Sequence, residues 1–167
     1  VTSPDPTRSS HFKQLFDVLA DMDAAITEVY RARGEGEVRA RFILPLVRLA
    51  HLGPMTITEL ARELERTHSA LSQTVAQMRQ AGLVGSEPGE DGRTRVITLT
   101  EHGRALVPLA EAEWRATEAA IAELDAEIPY AATQVAADLA SALGRRSFAE
   151  RLADRLDDAE PGSAGAG

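Results

Sequence analysis

The chain contains no cysteine, which removes disulfides, thiolate metal sites and thiol-based redox sensing together. Aromatic residues make up only 4% of it, so any core has to be assembled from Leu, Ala, Val and Ile. No apolar run approaches the ~20 residues needed to cross a bilayer. The opening VTSPDPTRSS lacks the apolar centre of a signal peptide, so a cytoplasmic protein without membrane contact is expected. Lysine is nearly missing: seventeen of the eighteen basic residues are Arg, and Lys13 is the exception. A glycine-rich phosphate loop and a nucleophile elbow are absent, and none of His11, His51, His68 and His102 pairs with another at i, i+3 or i+4. These absences argue against an enzyme and against a metal site, and they leave no cofactor to expect.

The sequence does hold 44% apolar residues over 167 positions, enough for one substantial core in a single domain. The apolar positions recur with the 3.6-residue period of a mainly helical fold. Net charge is −8, which at first argues against a nucleic-acid binder, but its distribution matters more than its sum. Between Arg39 and Arg104 there are nine Arg against seven Asp or Glu, whereas the remainder carries nine basic against nineteen acidic residues. The centre of the chain is slightly basic and its flanks are acidic.

Residues 1–8, with two prolines and small polar neighbours, read as a loose tail. A first helix is expected from about Ser9 or Ser10 to Ala32, with Phe12, Leu15, Phe16, Leu19, Met22, Ile26 and Tyr30 along one face, ended by Gly34 and Gly36. Val38 to His51 reads as a second helix stopped by Gly53-Pro54. Thr56 with Glu59 forms a capping box that opens a third helix, in which Leu60, Ala61 and Leu64 face inward. The next helix begins at Thr67 or His68, buries Leu71, Thr74, Val75 and Met78, and ends at Ala81 with Gly82 in the position that favours glycine. Two short strands, Leu83–Ser86 and Thr94–Leu99, flank the turn residues Pro88 to Gly92. Thr100 then opens a long helix to about Asp125, which Ile128-Pro129 breaks. Helical segments Tyr130–Leu143 and Ser147–Leu156 follow, the second with a Ser147–Glu150 capping box, and the final DDAEPGSAGAG reads as disordered.

Helix, turn, helix, hairpin and capped helix in that order describe a winged helix-turn-helix, which sets its second helix in the DNA major groove and its hairpin along the backbone. The face this helix would offer to DNA carries His68, Ser69, Ser72, Gln73, Ala76 and Gln77. Gln can pair bidentately with adenine, and Ser can reach a base or a phosphate. A solvated polar face on an ordinary core helix would look the same by itself. The hairpin tip separates the two readings. Asp91-Gly92-Arg93-Thr94-Arg95 places two guanidinium groups on a projecting loop, and Arg suits a narrow minor groove or a phosphate. Asp91 would fix an Arg rotamer by pairing with it.

The sequence resembles the MarR-type transcriptional regulators of bacteria. The resemblance rests on Leu60-Ala61 with Leu64, Leu71-Ser72, Met78, Gly82-Leu83-Val84, Asp91-Gly92-Arg93 and Leu99-Thr100-Glu101-His102-Gly103. It implies a mainly α fold with a small β-hairpin wing, in which a winged helix-turn-helix is flanked by N- and C-terminal dimerisation helices. The expected divisions are a tail over 1–8, a dimerisation helix over 9–36, the DNA-binding unit over 37–104, dimerisation helices over 105–157 and a second tail over 158–167. The implied function is that of a homodimeric repressor that binds a palindromic operator in double-stranded DNA. Ser69, Ser72, Gln73 and Gln77 become recognition-helix contacts, Arg93 the minor-groove residue, Asp91 its orienting partner, and Arg95 a phosphate contact or a brace of the wing. Gln73 and Gln77 stand where the family often has Arg, which implies fewer neutralised phosphates and a shallower salt dependence.

A homodimer is also expected from the residues, because the first helix and the last two carry apolar faces that a small winged unit does not need for its own core. The resemblance further implies a small aromatic or anionic effector. Its candidate contacts are Phe16, Tyr30, Phe42 and Trp114, together with Phe12, and its candidate anion partners are His11 and Arg41. The alternative function is a winged-helix module that binds a protein and no DNA. A purely structural helical dimer would leave the Asp91–Arg95 tip unexplained.

Overall fold

The computed structural model describes residues 5–8, 10–36, 38–89 and 94–159. The chain forms two compact units, Val1–Ala116 and Thr117–Gly167.

In the first unit, a single 3-10 turn at Pro6–Arg8 precedes helix α1, Lys13–Arg31. The helix starts later than Ser10; Phe12 stands at the N-cap and makes no capping bond. At its far end Gly34 adopts a φ of +79°, a left-handed conformation open to glycine without steric cost. Helix α2, Ala40–Leu52, follows an extended Arg39 and stops at Gly53. Helix α3, Ile57–Glu63, opens with the expected capping box: the Thr56 hydroxyl accepts from the Glu59 amide and the Glu59 carboxylate accepts from the Thr56 amide. Helix α4, His68–Gln80, is capped by Thr67, whose hydroxyl accepts from the Ala70 amide at 3.2 Å.

Strands β1, Val84–Pro88, and β2, Arg95–Leu99, pair antiparallel with Val84 opposite Leu99 and Ser86 opposite Ile97. Sequence reading missed one addition to this sheet. Met55 pairs with Ile97 through both of its backbone groups, at 2.8 and 3.4 Å, and so pins the entry to α3 against the hairpin. Helix α5, Glu101–Glu127, begins at Thr100, whose hydroxyl accepts from the Gly103 amide at 3.0 Å.

One apolar cluster fills the first unit. Phe42, Ile43, Leu46 and Leu49 of α2 meet Leu60, Leu71, Val75 and Met78 of the α3–α4 pair, together with Leu83, Val84 and Ile97 of the hairpin and Leu106 and Ala110 of α5. Thr74, expected inside, is only half-buried. In α1 the expected apolar face divides. Tyr30 is fully buried and Ile26 packs on the cluster, whereas Phe12, Leu15, Phe16 and Leu19 are exposed.

In the second unit, α5 ends and helices α6, Ala132–Arg145, and α7, Phe148–Ala159, follow. Asp125 receives the Ala132 amide at 2.7 Å and also the Thr133 hydroxyl. Ser147 and Glu150 form the second expected capping box. Val135, Leu139 and Leu143 on α6, and Phe148, Leu152 and Leu156 on α7, recur every four residues and all are exposed. Among the described residues no helix is long and apolar enough to cross a membrane, and no group of three acidic or histidine side chains is placed to hold a metal ion.

Candidate nucleic-acid interface

The α3–α4 pair is a helix-turn-helix built on local chemistry. The turn passes through Glu65, whose φ of +52° lies in the left-handed region, and the Arg66 amide donates back to Ala61 at 2.9 Å. The Thr56 amide, and after it the Thr56 hydroxyl, holds the Glu59 carboxyl below its usual range, so the first turn of α3 carries a firmly ionised cap. Burial of Leu71, Val75 and Met78 fixes the rotation of α4. The opposite side then consists of Ser69, Gln73, Ala76 and Gln80, all exposed, with half-buried Ser72 and Gln77 on its margins. His68 is exposed at the first residue of the helix. All the α4 residues expected at DNA therefore lie on or beside one uncovered face, and His68 and Ser69 stand at the helix N-terminus, where backbone amides favour an anion.

Two arginines have fixed roles in this region. Arg95 donates to the Ser86 hydroxyl at 2.8 Å and to the Ser86 carbonyl at 2.5 Å, so its guanidinium braces β2 against β1. Below the brace is a surface hollow of about 480 Å³ lined by Ile57, Arg79, Ser86, Arg95 and Ile97. Arg79 was not among the sequence candidates, because its place beside the hairpin depends on how the end of α4 packs and leaves no local signal. The second arginine is Arg41 of α2. Its Nε and Nη2 both donate to Oε1 of Gln77, at 3.0 and 2.5 Å, so a residue expected near an effector instead meets one expected at DNA. The stem of the hairpin closes with the Gly89 amide on the Thr94 carbonyl at 2.8 Å. Asp91 and Arg93 lie outside the described residues.

The seven effector candidates are not gathered into one cavity. Tyr30 and Phe42 belong to the core, and the Tyr30 hydroxyl donates to the buried Glu113 carboxylate at 3.4 Å. Burial first, and then the Glu113 charge, push the Tyr30 phenol well above its ordinary pKa. His11, Phe12 and Phe16 are exposed at the start of α1, and Arg41 is engaged with Gln77. Of the seven, Trp114 alone borders the cavity of about 430 Å³ between α2 and α5. Ile43, Leu44 and Val47 form its apolar wall, and Arg48, His51, Glu111 and Arg115 supply its polar groups. His51 and Glu111 are in contact at 2.7 Å, and Arg48 pairs with Glu63 at 3.2 Å. His51, Arg48 and Arg115 were missed, since a sequence does not show that the C-terminal half of one helix faces the middle of another.

A capped helix-turn-helix, a two-stranded hairpin and a third pairing at Met55 define a winged helix-turn-helix protein. Residues 46–94, from the second half of α2 through the helix-turn-helix to the hairpin, match the model of the MarR family. No curated protein matches the chain significantly. Among solved structures, it is similar to the Mycobacterium tuberculosis transcriptional regulator MosR in complex with DNA, at 25% identity and a TM-score of 0.56, over 84% of this chain and 98% of that one. The Staphylococcus aureus MepR–DNA complex shares the fold at 16% identity and a TM-score of 0.57, over 81% of this chain and 96% of that one. Overoxidized AbfR bound to DNA shares it at 20% identity and a TM-score of 0.54, over 79% and 88% of the two chains.

Proposed function

We propose that this protein is a cytoplasmic, homodimeric transcriptional repressor that grips a palindromic DNA operator and is released from it by a small molecule. The observation that carries the reading is the uncovered face of α4, where Ser69, Gln73 and Ala76 stand exposed on a helix capped at its N-terminus and flanked by an arginine-braced hairpin. Such a face suits the major groove, and the hairpin suits the adjoining backbone and minor groove. That MosR, MepR and AbfR were all solved on DNA supports the same reading. In it, His68, Ser69, Ser72, Gln73 and Gln77 meet the major groove, Arg93 enters the minor groove with Asp91 orienting it, and residues 37–104 form the DNA-binding unit.

The exposed apolar rows of α1, α6 and α7 support a dimer, because contiguous apolar surface of this kind is stabilised by a partner. Residues 9–36 and 105–157 would supply it. The cavity of about 430 Å³ beside Trp114, with Arg48 and Arg115 at its edge, fits an aromatic anion. Its walls are α2 and α5, whose apolar faces pack into the core that also holds α4, so an occupant that displaces either would shift α4 against the operator.

A mobility-shift titration against the DNA flanking the protein's own gene, repeated with Gln73→Ala and Arg93→Ala across salt concentrations, tests the reading. Saturable retardation of one fragment, weakened by both substitutions, is the expected result. Retardation of no DNA at any salt would refute it and leave the winged unit as a protein-binding module.

A further inference from the structure

The two glutamines of the α4 face differ in one respect that bears on which base each can read. Gln77 has its amide oxygen occupied: Nε and Nη2 of Arg41 donate to Oε1 at 3.0 and 2.5 Å. A guanidinium has donors only, so this contact also fixes the orientation of the amide, with the oxygen toward Arg41 and the NH2 group away from it. Gln73, one turn earlier and exposed, makes no hydrogen bond to its side chain among the described residues, and keeps acceptor and donor together.

An adenine edge requires both functions at once, an acceptor for its N6 amino group and a donor for N7. Gln73 can supply both. Gln77, with its oxygen turned to Arg41, presents its NH2 donors away from it, and the major-groove edge with two adjacent acceptors is guanine, through N7 and O6. Cytosine, whose N4 amino group is a donor, faces Gln77 with donor against donor. From this we infer that Arg41 is a positioning residue that converts Gln77 from an adenine reader into a guanine reader, so that two identical side chains on one face select different bases. The inference rests on the DNA-binding reading above.

The test is selection of binding sites from a pool of random-sequence DNA duplexes by wild-type protein, Gln77→Ala, Gln77→Glu and Arg41→Ala, with the thermal midpoint of each variant recorded to confirm folding. Gln77→Ala identifies the base position that Gln77 governs, as the one whose preference it flattens. The wild type is expected to select guanine there, and Arg41→Ala to move the preference toward adenine by roughly tenfold in the ratio of the two bases. Gln77→Glu, which has acceptors only, is expected to move it toward cytosine with Arg41 intact. Adenine at that position in the wild type overturns the inference. So does an Arg41→Ala variant that binds every sequence more weakly but keeps its guanine, or a Gln77→Ala variant that flattens no position. In those three cases the wild type still selects a defined site and the DNA-binding function stands. A wild type that selects no DNA removes both.

Discussion

Glu65 holds the turn between α3 and α4 in a left-handed conformation, with a φ of +52°, and it is a residue with a Cβ. Its neighbours leave it little choice: the Glu65 amide donates to the Arg62 carbonyl and the Arg66 amide to Ala61, which closes the end of α3 and reverses the chain. An L-residue in this region costs about 1–2 kcal/mol, part of which glycine would return through its greater freedom in the unfolded chain. Glu65→Gly is therefore expected to stabilise the protein by about 0.5–1 kcal/mol, which a rise of roughly 2–3 °C in the thermal midpoint would register; a lowered midpoint would show that the carboxylate contributes more than the backbone strain costs. Tyr30 is the other residue with an energetic signature of its own. Its hydroxyl satisfies part of a buried carboxylate at Glu113, so Tyr30→Phe is expected to cost about 1 kcal/mol at neutral pH. Because the folded phenol holds its proton more tightly than the unfolded one, this stabilisation is complete below the unfolded value of about pH 10 and is lost as pH rises through the folded value. Urea unfolding of wild type and Tyr30→Phe on either side of about pH 10 should show the variant losing less stability; equal losses would remove this role.

At the scale of elements, the junction between the hairpin and α5 is the most constrained point of the winged unit. The Thr100 amide donates to the Leu83 carbonyl at 3.1 Å, and the Thr100 hydroxyl donates to the Gly82 carbonyl at 2.6 Å while accepting from Gly103. A Cβ on Gly103 would stand 2.0 Å from the Leu83 carbonyl oxygen, and that oxygen is backbone held by the same bonds. Gly103→Ala is expected to destabilise by about 1–3 kcal/mol or more, read as a lowered urea midpoint; an unchanged midpoint would mean that the end of α4 yields easily. Thr100 and Gly103 were legible as a helix start, and so were the capping boxes at Thr56 and Ser147, because each is settled within four residues. The left-handed Gly82 after α4 was legible for the same reason. What escaped was tertiary. Met55 finds Ile97 across α3, α4 and β1, and Arg41 finds Gln77 from a different helix, so neither sequence neighbourhood carries a mark of the other. The start of α1 shifted because Ser10, a good cap by type, does not take the N-cap position that Phe12 occupies. In the candidate interface, the α4 face was legible from the period of Leu71, Val75 and Met78. The occupied oxygen of Gln77 was not.

For the molecule as a whole, charge and apolar surface are carried by different segments of the chain. The stretch from Arg39 to Arg104 has nine Arg against seven acidic residues, within a chain of net charge −8, so attraction to phosphate is concentrated on the winged unit and opposed elsewhere. Uncovered apolar rows lie on α1, α6 and α7, with Phe16 64% exposed in the first unit and Leu156 67% exposed in the second. Neither helix row would be retained in water as a bare face without cost, since each fully buried Leu or Phe side chain contributes about 1.5–3 kcal/mol. A second copy of the chain covers both rows at once if the dimer joins them, and it then also sets the spacing of the two α4 helices to about one turn of DNA. Sedimentation of wild type, Phe16→Glu and Leu139→Glu tests this. A dimer for the wild type is expected, and a shift toward monomer for both variants, with circular dichroism unchanged because both side chains are already exposed. Each variant should also lose operator affinity steeply, since a monomer holds one half-site where the dimer holds two. A wild type that sediments as a monomer, or variants that stay dimeric, would show that these faces serve another partner and that the operator is held by single copies.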